Sequence, residues 1–202
     1  MSHRLTGLSV VLALGIAAPT SAEVLSARVT GGTVQGVAAD GVVAFKGIPF
    51  AAPPTGANRW SAPQPVEAWT GVKTADHYAA GCMQDSAMMR FIGSDTGVSE
   101  DCLYLDIWTP ARTAGDKLPV MVWIYGGGFG AGATSSPTYA GDRLAKLGVV
   151  QINVAYRVGV FGFLAHPELS RESGVGSGNY GLLDQIAGLE WVKENIAAFG
   201  GD

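Results

Sequence analysis

Three consecutive glycines, Gly126, Gly127 and Gly128, follow an apolar run that predicts a buried strand. Glycine has no Cβ and tolerates positive φ, so its backbone N–H groups can turn toward a ligand without a side chain in the way. In open α/β sheets, ligands bind where the parallel strands end. The spacing therefore predicts a corner of exposed amides that suits a negatively charged group. A tight turn without a ligand is the alternative, although such a turn needs only one or two glycines.

Two kinds of anion fit such a corner. One is a nucleotide phosphate, because Gly126, Gly128 and Ala131 match the loose Gly-x-Gly-x-x-Gly/Ala spacing of dinucleotide sites. That site also needs a helix that opens at once and an acid about twenty residues later, whereas residues 134–137 predict irregular chain and residues 149–154 contain no acid. The other anion is the oxyanion formed when a nucleophile attacks an ester or amide carbonyl, and the pattern favours it.

A nucleophile for that attack is not recognisable in this sequence. In α/β sheets that carry out this chemistry, the serine stands in a Gly-x-Ser-x-Gly turn, and the acid and the histidine follow later in the chain. No serine here has glycine both two residues before it and two residues after it. His77 and His166 are expected to be ordinary loop residues.

The elements that must position the glycine corner alternate between strand and helix. Apolar runs at 103–108, 118–125 and 149–156 predict strands, and the second of these is apolar enough to be covered by helices on both faces. Residues 139–147 and 180–199 predict helices from their apolar spacing. The alternation predicts an α/β sheet whose next element is another strand.

The first half of the chain has a different character. Short β-branched runs and turn signals over residues 27–50 predict a small antiparallel meander, and the proline-rich residues 51–65 predict an ordered but irregular loop. The polar residues 83–101 predict a surface loop. No repeat or composition shift divides the chain, so residues 23–202 are expected to belong to one domain.

Composition excludes two classes of partner. The chain has 202 residues, of which 48% are apolar and 15% charged, and its formal net charge is -4. No basic cluster is present that could neutralise phosphates or anionic lipid, which argues against nucleic acid and membrane surfaces as partners.

The first 22 residues predict a secretory signal peptide. Arg4 supplies the positive region, residues 5–18 the apolar region, and residues 19–22 a cleavage site of small residues. A membrane anchor is the alternative, but the apolar run falls short of the ~20 residues that a span needs. We therefore expect a secreted or periplasmic protein. In such an oxidising compartment, Cys82 and Cys102 are expected to form a disulfide, with two free buried thiols as the alternative.

Residues 100–110, Glu-Asp-Cys-Leu-Tyr-Leu-Asp-Ile-Trp-Thr-Pro, resemble one of the two diagnostic signatures of the type-B carboxylesterases, the family that includes the cholinesterases. Other family motifs follow the family's order at residues 45–51, 125–129, 156–159, 179–185 and 199–202, so the resemblance covers residues 27–202. It implies an incomplete α/β-hydrolase fold, namely the N-terminal antiparallel meander and the first strands and helices of the central sheet.

The resemblance also implies roles for particular residues. Gly127 and Gly128 match the glycines whose amides form an oxyanion hole, and Tyr125, Gly126 and Phe129 belong to the same substrate loop.

Two further pairs are implied to be structural. Cys82 and Cys102 match the disulfide that ties the loop beside the active-site gorge, and Arg59 and Glu100 match an ion pair. The loop between the cysteines is shorter than in cholinesterases and lacks the tryptophan that holds a choline cation. Choline esters are therefore not the expected substrates.

For the complete protein, the resemblance implies hydrolysis of a small-molecule carboxylic ester by a serine nucleophile, with no metal and no organic cofactor. It also implies that the serine, the acid and the histidine lie beyond Asp202, so this chain by itself is expected to be inactive. The rival hypothesis is a non-catalytic, cholinesterase-like binding or adhesion protein, since a fold alone does not determine function. The intact glycine loop favours the enzyme.

Overall fold

The computed structural model describes residues 24–202, so the predicted signal peptide at 1–22 lies outside the described residues. The strands are β1 (Ser26–Val29), β2 (Gly32–Gln35), β3 (Val37–Ala39), β4 (Val42–Pro49), β5 (Val72–Thr74), β6 (Gly81–Cys82), β7 (Val98–Ser99), β8 (Tyr104–Thr109), β9 (Val120–Ile124) and β10 (Val150–Val154). The helices are α1 (Ser86–Phe91), α2 (Asp142–Ala145), α3 (Gly159–Phe163), α4 (Pro167–Ser173) and α5 (Tyr180–Asn195). None of the helices described is long and apolar enough to cross a bilayer.

A five-stranded sheet with the order β3-β4-β8-β10-β9 forms the centre of the molecule. Neighbouring strands within this sheet are antiparallel, except that β9 and β10 are parallel. The predicted glycine corner follows the carboxyl end of β9. The core fills the space between this sheet and α5, where Phe45 of β4 meets Phe199 edge to face at 4.8 Å.

The predicted meander is divided between two sheets, which corrects the expectation of one continuous unit. Strands β1 and β2 form an antiparallel hairpin in a separate three-stranded sheet with β5, whereas β3 and β4 belong to the central sheet. Gly36 stands at the crossing between them, and its Cα lies so close to β4 that an added Cβ would come within 2.8 Å of the Ala44 carbonyl oxygen. This close approach lets the chain pass from one sheet to the other.

Strand β9 is not buried on both faces, contrary to its continuous apolar sequence. Met121 and Trp123 are exposed on one face of β9, which is the edge strand of the described central sheet. Beyond α5 the chain returns to this edge. Gly201 bridges Leu118 in parallel, and the Leu118 amide donates to the Gly200 carbonyl at 2.8 Å. This bridge lies where the strand–helix alternation predicts a further strand.

The apolar spacing over 180–199 predicted a helix correctly, and a 3₁₀ turn, Ile196–Phe199, completes it. Only part of the apolar pattern is buried, however: Val192 and Ile196 face the core, whereas the four residues nearer the start of the helix are exposed, namely Leu182, Leu183, Ile186 and Leu189. The buried face carries Tyr180, Gly181, Asp184, Gly188, Trp191, Val192 and Asn195. At Gly188 a side chain would overlap Val154, so the helix packs closely on β10 at this glycine.

Two local expectations need correction. The loop between the cysteines contains helix α1, which the Asp85 side chain caps by accepting the Ala87 N–H at 2.7 Å. The helix predicted over 139–147 is shorter, because α2 covers only Asp142–Ala145 and Tyr139 ends a separate 3₁₀ turn.

Candidate active site

The glycine corner forms an arch of eight residues, 125–132, directly after β9; we call it the glycine arch. Gly127 has φ +133° and Gly132 has φ +138°, a region of backbone space that side chains rarely permit. A Cβ at Gly127 would overlap the Ala131 carbonyl oxygen, and a Cβ at Gly132 would overlap the Tyr125 ring. The arch therefore requires glycine at both positions.

The free amides of the arch include the adjacent pair at Gly127 and Gly128. Gly127 and Gly128 are exposed, and within residues 24–202 their N–H groups donate no hydrogen bond. The bond that closes the arch internally runs instead from the Gly130 N–H to the Gly127 carbonyl at 3.1 Å. Such paired donors suit an oxygen atom that carries negative charge.

A pair of tyrosines fixes the start of the arch. The Tyr125 hydroxyl donates to the Tyr156 carbonyl at 2.7 Å, the Tyr156 hydroxyl donates to the Tyr125 carbonyl at 3.0 Å, and the rings stack with centroids 4.6 Å apart. Burial, the largest cause, raises the pKa of Tyr125, so the hydroxyl stays protonated and keeps donating. Because these residues come just after the parallel strands β9 and β10, their bonds hold the two strand ends together at the start of the arch.

Phe129 has a different role in the loop. Its backbone is left-handed, with φ 61°, although it is not glycine, and such strain is often stored at functional sites. Its carbonyl accepts the Gly159 N–H at 2.7 Å, and its half-exposed ring packs on Phe163 at 5.0 Å. Of the predicted substrate-loop residues, Gly126 and Phe129 are thus accessible to a ligand, whereas Tyr125 is buried.

The loop between the cysteines lies beside the far end of the arch. Cys82 and Cys102 form a disulfide. Inside the loop, the Ser94 hydroxyl lies 2.6 Å from that of Ser135, and the Ser136 hydroxyl donates to the Ile92 carbonyl at 2.8 Å. These contacts attach the loop to the segment that leaves the arch.

Arg59 and Glu100 form an ion pair at the surface. The Arg59 Nη2 lies 2.7 Å from the Glu100 Oε1, and its Nε bonds the other carboxylate oxygen. The hydrogen bond from Arg59, the largest cause, lowers the pKa of Glu100.

A second ion pair, Arg157–Asp184, was missed by the sequence reasoning. Arg157 donates from Nε to the Asp184 Oδ2 at 2.8 Å and from Nη2 to Oδ1 at 2.7 Å, and both side chains are almost fully buried. Its backbone N–H also donates to Asp184, at 3.0 Å, which ties the end of β10 to α5. Arg157 lies in the family motif at residues 156–159 and Asp184 in the motif at residues 179–185. A charged residue within each motif was the available signal.

The two histidines of the described chain have local partners. The His166 Nδ1 caps α4 by accepting the Glu168 N–H at 3.3 Å. His77 is exposed and lies 2.6 Å from Asp76, and this contact is the largest cause that lowers the pKa of the Asp76 carboxyl.

Comparison with known proteins defines the class. The Carboxylesterase family model matches residues 21–202. The chain belongs to this family and has the N-terminal part of the α/β-hydrolase fold.

Three relatives illustrate the match. The chain is 48% identical over 191 residues to a fumonisin B1 esterase of Sphingopyxis macrogoltabida, covering 94% of this chain and 35% of that one. It is 47% identical over 173 residues to a para-nitrobenzyl esterase of Bacillus subtilis, covering 85% and 35%. A solved PNB esterase structure superposes with a TM-score of 0.81 at 44% identity, covering 88% and 36%. The chain thus spans about a third of the length of these relatives.

Proposed function

We propose that this chain supplies the oxyanion hole of an exported serine esterase that hydrolyses small carboxylic esters. The observation that carries the proposal is the pair of free, adjacent N–H groups at Gly127 and Gly128, directly after a parallel strand. Membership of the carboxylesterase family supports the same chemistry. The predicted signal peptide and the disulfide support export.

The reaction needs a serine nucleophile with a histidine beside it. A serine oxygen would attack the ester carbonyl while a histidine takes its proton, and the carbonyl oxygen would become a tetrahedral oxyanion. The amides of Gly127 and Gly128 would stabilise that charge, each by about 3 to 4 kcal/mol in the transition state. Collapse would then expel the alcohol, which receives the proton from the histidine, and water would release the acid. No metal or organic cofactor enters this sequence of steps.

The test is a fusion in which residues 24–202 replace the matching segment of the Bacillus subtilis para-nitrobenzyl esterase; we call it the esterase fusion. We expect it to hydrolyse a short p-nitrophenyl ester, while the 202-residue chain alone gives no turnover above background. Gly127→Val should lower kcat by about 100-fold or more, because a side chain displaces the arch.

Gly115→Ala is the matched control. Gly115 lies in the loop before β9, where a Cβ would make only ordinary contact, so its kcat should not change. The proposal fails if the folded fusion is inactive, or if Gly127→Val retains the kcat of the parent. A folded but inactive fusion would favour the binding-protein alternative.

A further inference from the structure

Gln84 connects the disulfide loop to the glycine arch. It stands two residues after Cys82, just before the cap of α1, and its side chain is partly buried. Its Oε1 accepts the Gly132 N–H at 2.8 Å, and its Nε2 donates to the Gly132 carbonyl at 2.7 Å. Nε2 also donates to the Cys82 carbonyl at 3.0 Å.

The three bonds need one acceptor and two donors on the same side chain, which no other residue type of this size offers. A primary amide offers two N–H donors and one carbonyl acceptor on one plane. Here it pairs with both backbone groups of Gly132, much as a neighbouring strand would. Glutamate lacks the donors and methionine lacks every strong hydrogen-bonding group, so neither can replace the pairing.

Gly132 is the point at which holding the backbone matters most for the arch. It ends the arch, its φ of +138° is open to glycine, and the Tyr125 ring occupies the space where a Cβ would stand. Tyr156 fixes the other end through its bonds to Tyr125. Between these ends, one internal bond from Gly130 to Gly127 spans the arch. The direction of the free amides therefore depends on how firmly both ends are held.

We propose that Gln84 is a positioning residue, which clamps Gly132 so that the amides of Gly127 and Gly128 are aligned before substrate arrives. The disulfide, through Cys82, anchors the clamp in turn. The inference rests on the proposed function, because preorganised donors lower the barrier only where negative charge develops.

The test compares Gln84→Met with Gln64→Met. Met keeps the size of the side chain and removes its hydrogen bonds. Gln64 is exposed and its amide bonds only the nearby Ala62 carbonyl, so the same substitution there is the matched control.

Amide hydrogen exchange on the 202-residue chain gives the first readout. In Gln84→Met, the Gly132 amide should exchange at least about tenfold faster, since it loses its acceptor. Gln64→Met should leave that rate unchanged. Unchanged exchange at Gly132 in Gln84→Met would overturn the clamp.

Kinetics in the esterase fusion give the second readout. Gln84→Met should lower kcat by about 10- to 100-fold with KM within about twofold of the parent, as expected when an interaction of the transition state is weakened. An active parent with unchanged kcat in Gln84→Met would overturn the positioning role, even if exchange is faster. If the esterase fusion folds but is inactive, the proposed function is overturned, and the catalytic role of the clamp with it. The exchange experiment still decides whether Gln84 holds Gly132.

Discussion

Two arginine–carboxylate pairs lie at one small crevice, which Arg59, Glu100 and Arg157 line together, but their surroundings differ. At the outer pair, Arg59 is 39% exposed and Glu100 is 23% exposed. At the inner pair, Arg157 is 3% exposed and Asp184 is fully buried. Both pairs are bidentate, so the difference between them is burial and not geometry.

Burial changes what each pair does for the fold. Water screens the outer pair, so it contributes little while it joins the proline-rich loop to the disulfide loop. The inner pair has lost its hydration, so each charge depends on the other. Arg157 also donates to the Ser61 carbonyl at 2.8 Å, which brings the proline-rich loop, the end of β10 and α5 to one point. We infer that the inner pair organises the site, whereas the outer pair adds to its rim.

Among the substitutions at the two pairs, Asp184→Asn should have the largest effect on stability. The substitution keeps the shape of the side chain but leaves the Arg157 charge buried without a counter-charge. We expect a loss of about 3 to 5 kcal/mol in the free energy of unfolding, measured by urea denaturation.

The double variant Arg157→Met/Asp184→Leu is the control for that loss. It removes both charges, so it should be less destabilised than Asp184→Leu alone, although the Arg157 backbone N–H loses its acceptor. If the double variant unfolds as easily as the single one, an uncompensated charge is not the cause.

Asp106 extends the comparison to a buried acid that forms no ion pair with an arginine among the described residues. Its Oδ1 accepts the Gly47 N–H at 2.8 Å. Burial, the largest cause, raises its pKa from 3.8 to about 6, although the Thr134 hydroxyl, the Gly47 amide and Lys46 oppose the shift. The folded state thus favours the neutral acid. Its contribution to stability is full below about pH 4 and is lost as the pH rises through 6, by about 3 kcal/mol in all.

Asp106→Asn tests this sign, because asparagine stays neutral at every pH. The variant should gain stability over the parent between pH 4.5 and pH 7.5 in urea denaturation, with most of the gain below about pH 6. Asp116→Asn is the opposite control: a hydrogen bond from Thr113, the largest cause, lowers the pKa of Asp116, so its contribution is lost as the pH falls. A parent–variant difference at Asp106 that does not change with pH would contradict the assignment.

Glu100→Gln should have the smallest effect. It removes the charge of the outer pair and keeps its shape, and we expect at most roughly a fifth of the loss caused by Asp184→Asn. The loss should shrink further when salt is raised from 0.05 to about 0.5 M, because salt screens exposed charges. A loss at Glu100 equal to that at Asp184 would show that burial does not separate the two pairs.

A region was predictable from the sequence when its structure depends on residues close together in the chain, and not when it depends on contacts between distant segments. The corner after β9 was predictable, because φ preference and the absence of Cβ are local properties of Gly127 and Gly128. The alternation of strands and helices was also predictable from apolar spacing. The buried face of α5 was predicted only in part, because close packing at Gly181 and Gly188 buries a face that the leucines do not share. The exposed face of β9 was not predictable, because the elements that pack on a strand decide which of its faces is covered.

Residues close together in the chain were enough to indicate the family, the strands β8, β9 and β10 and the glycine corner after β9. Only the tertiary structure placed Gln84 against Gly132, 48 residues away, and Arg157 against Asp184, 27 residues away. Hydrogen bonds and burial depend on which surfaces meet in space. The residues next to a side chain in the sequence do not indicate which distant residue it will contact.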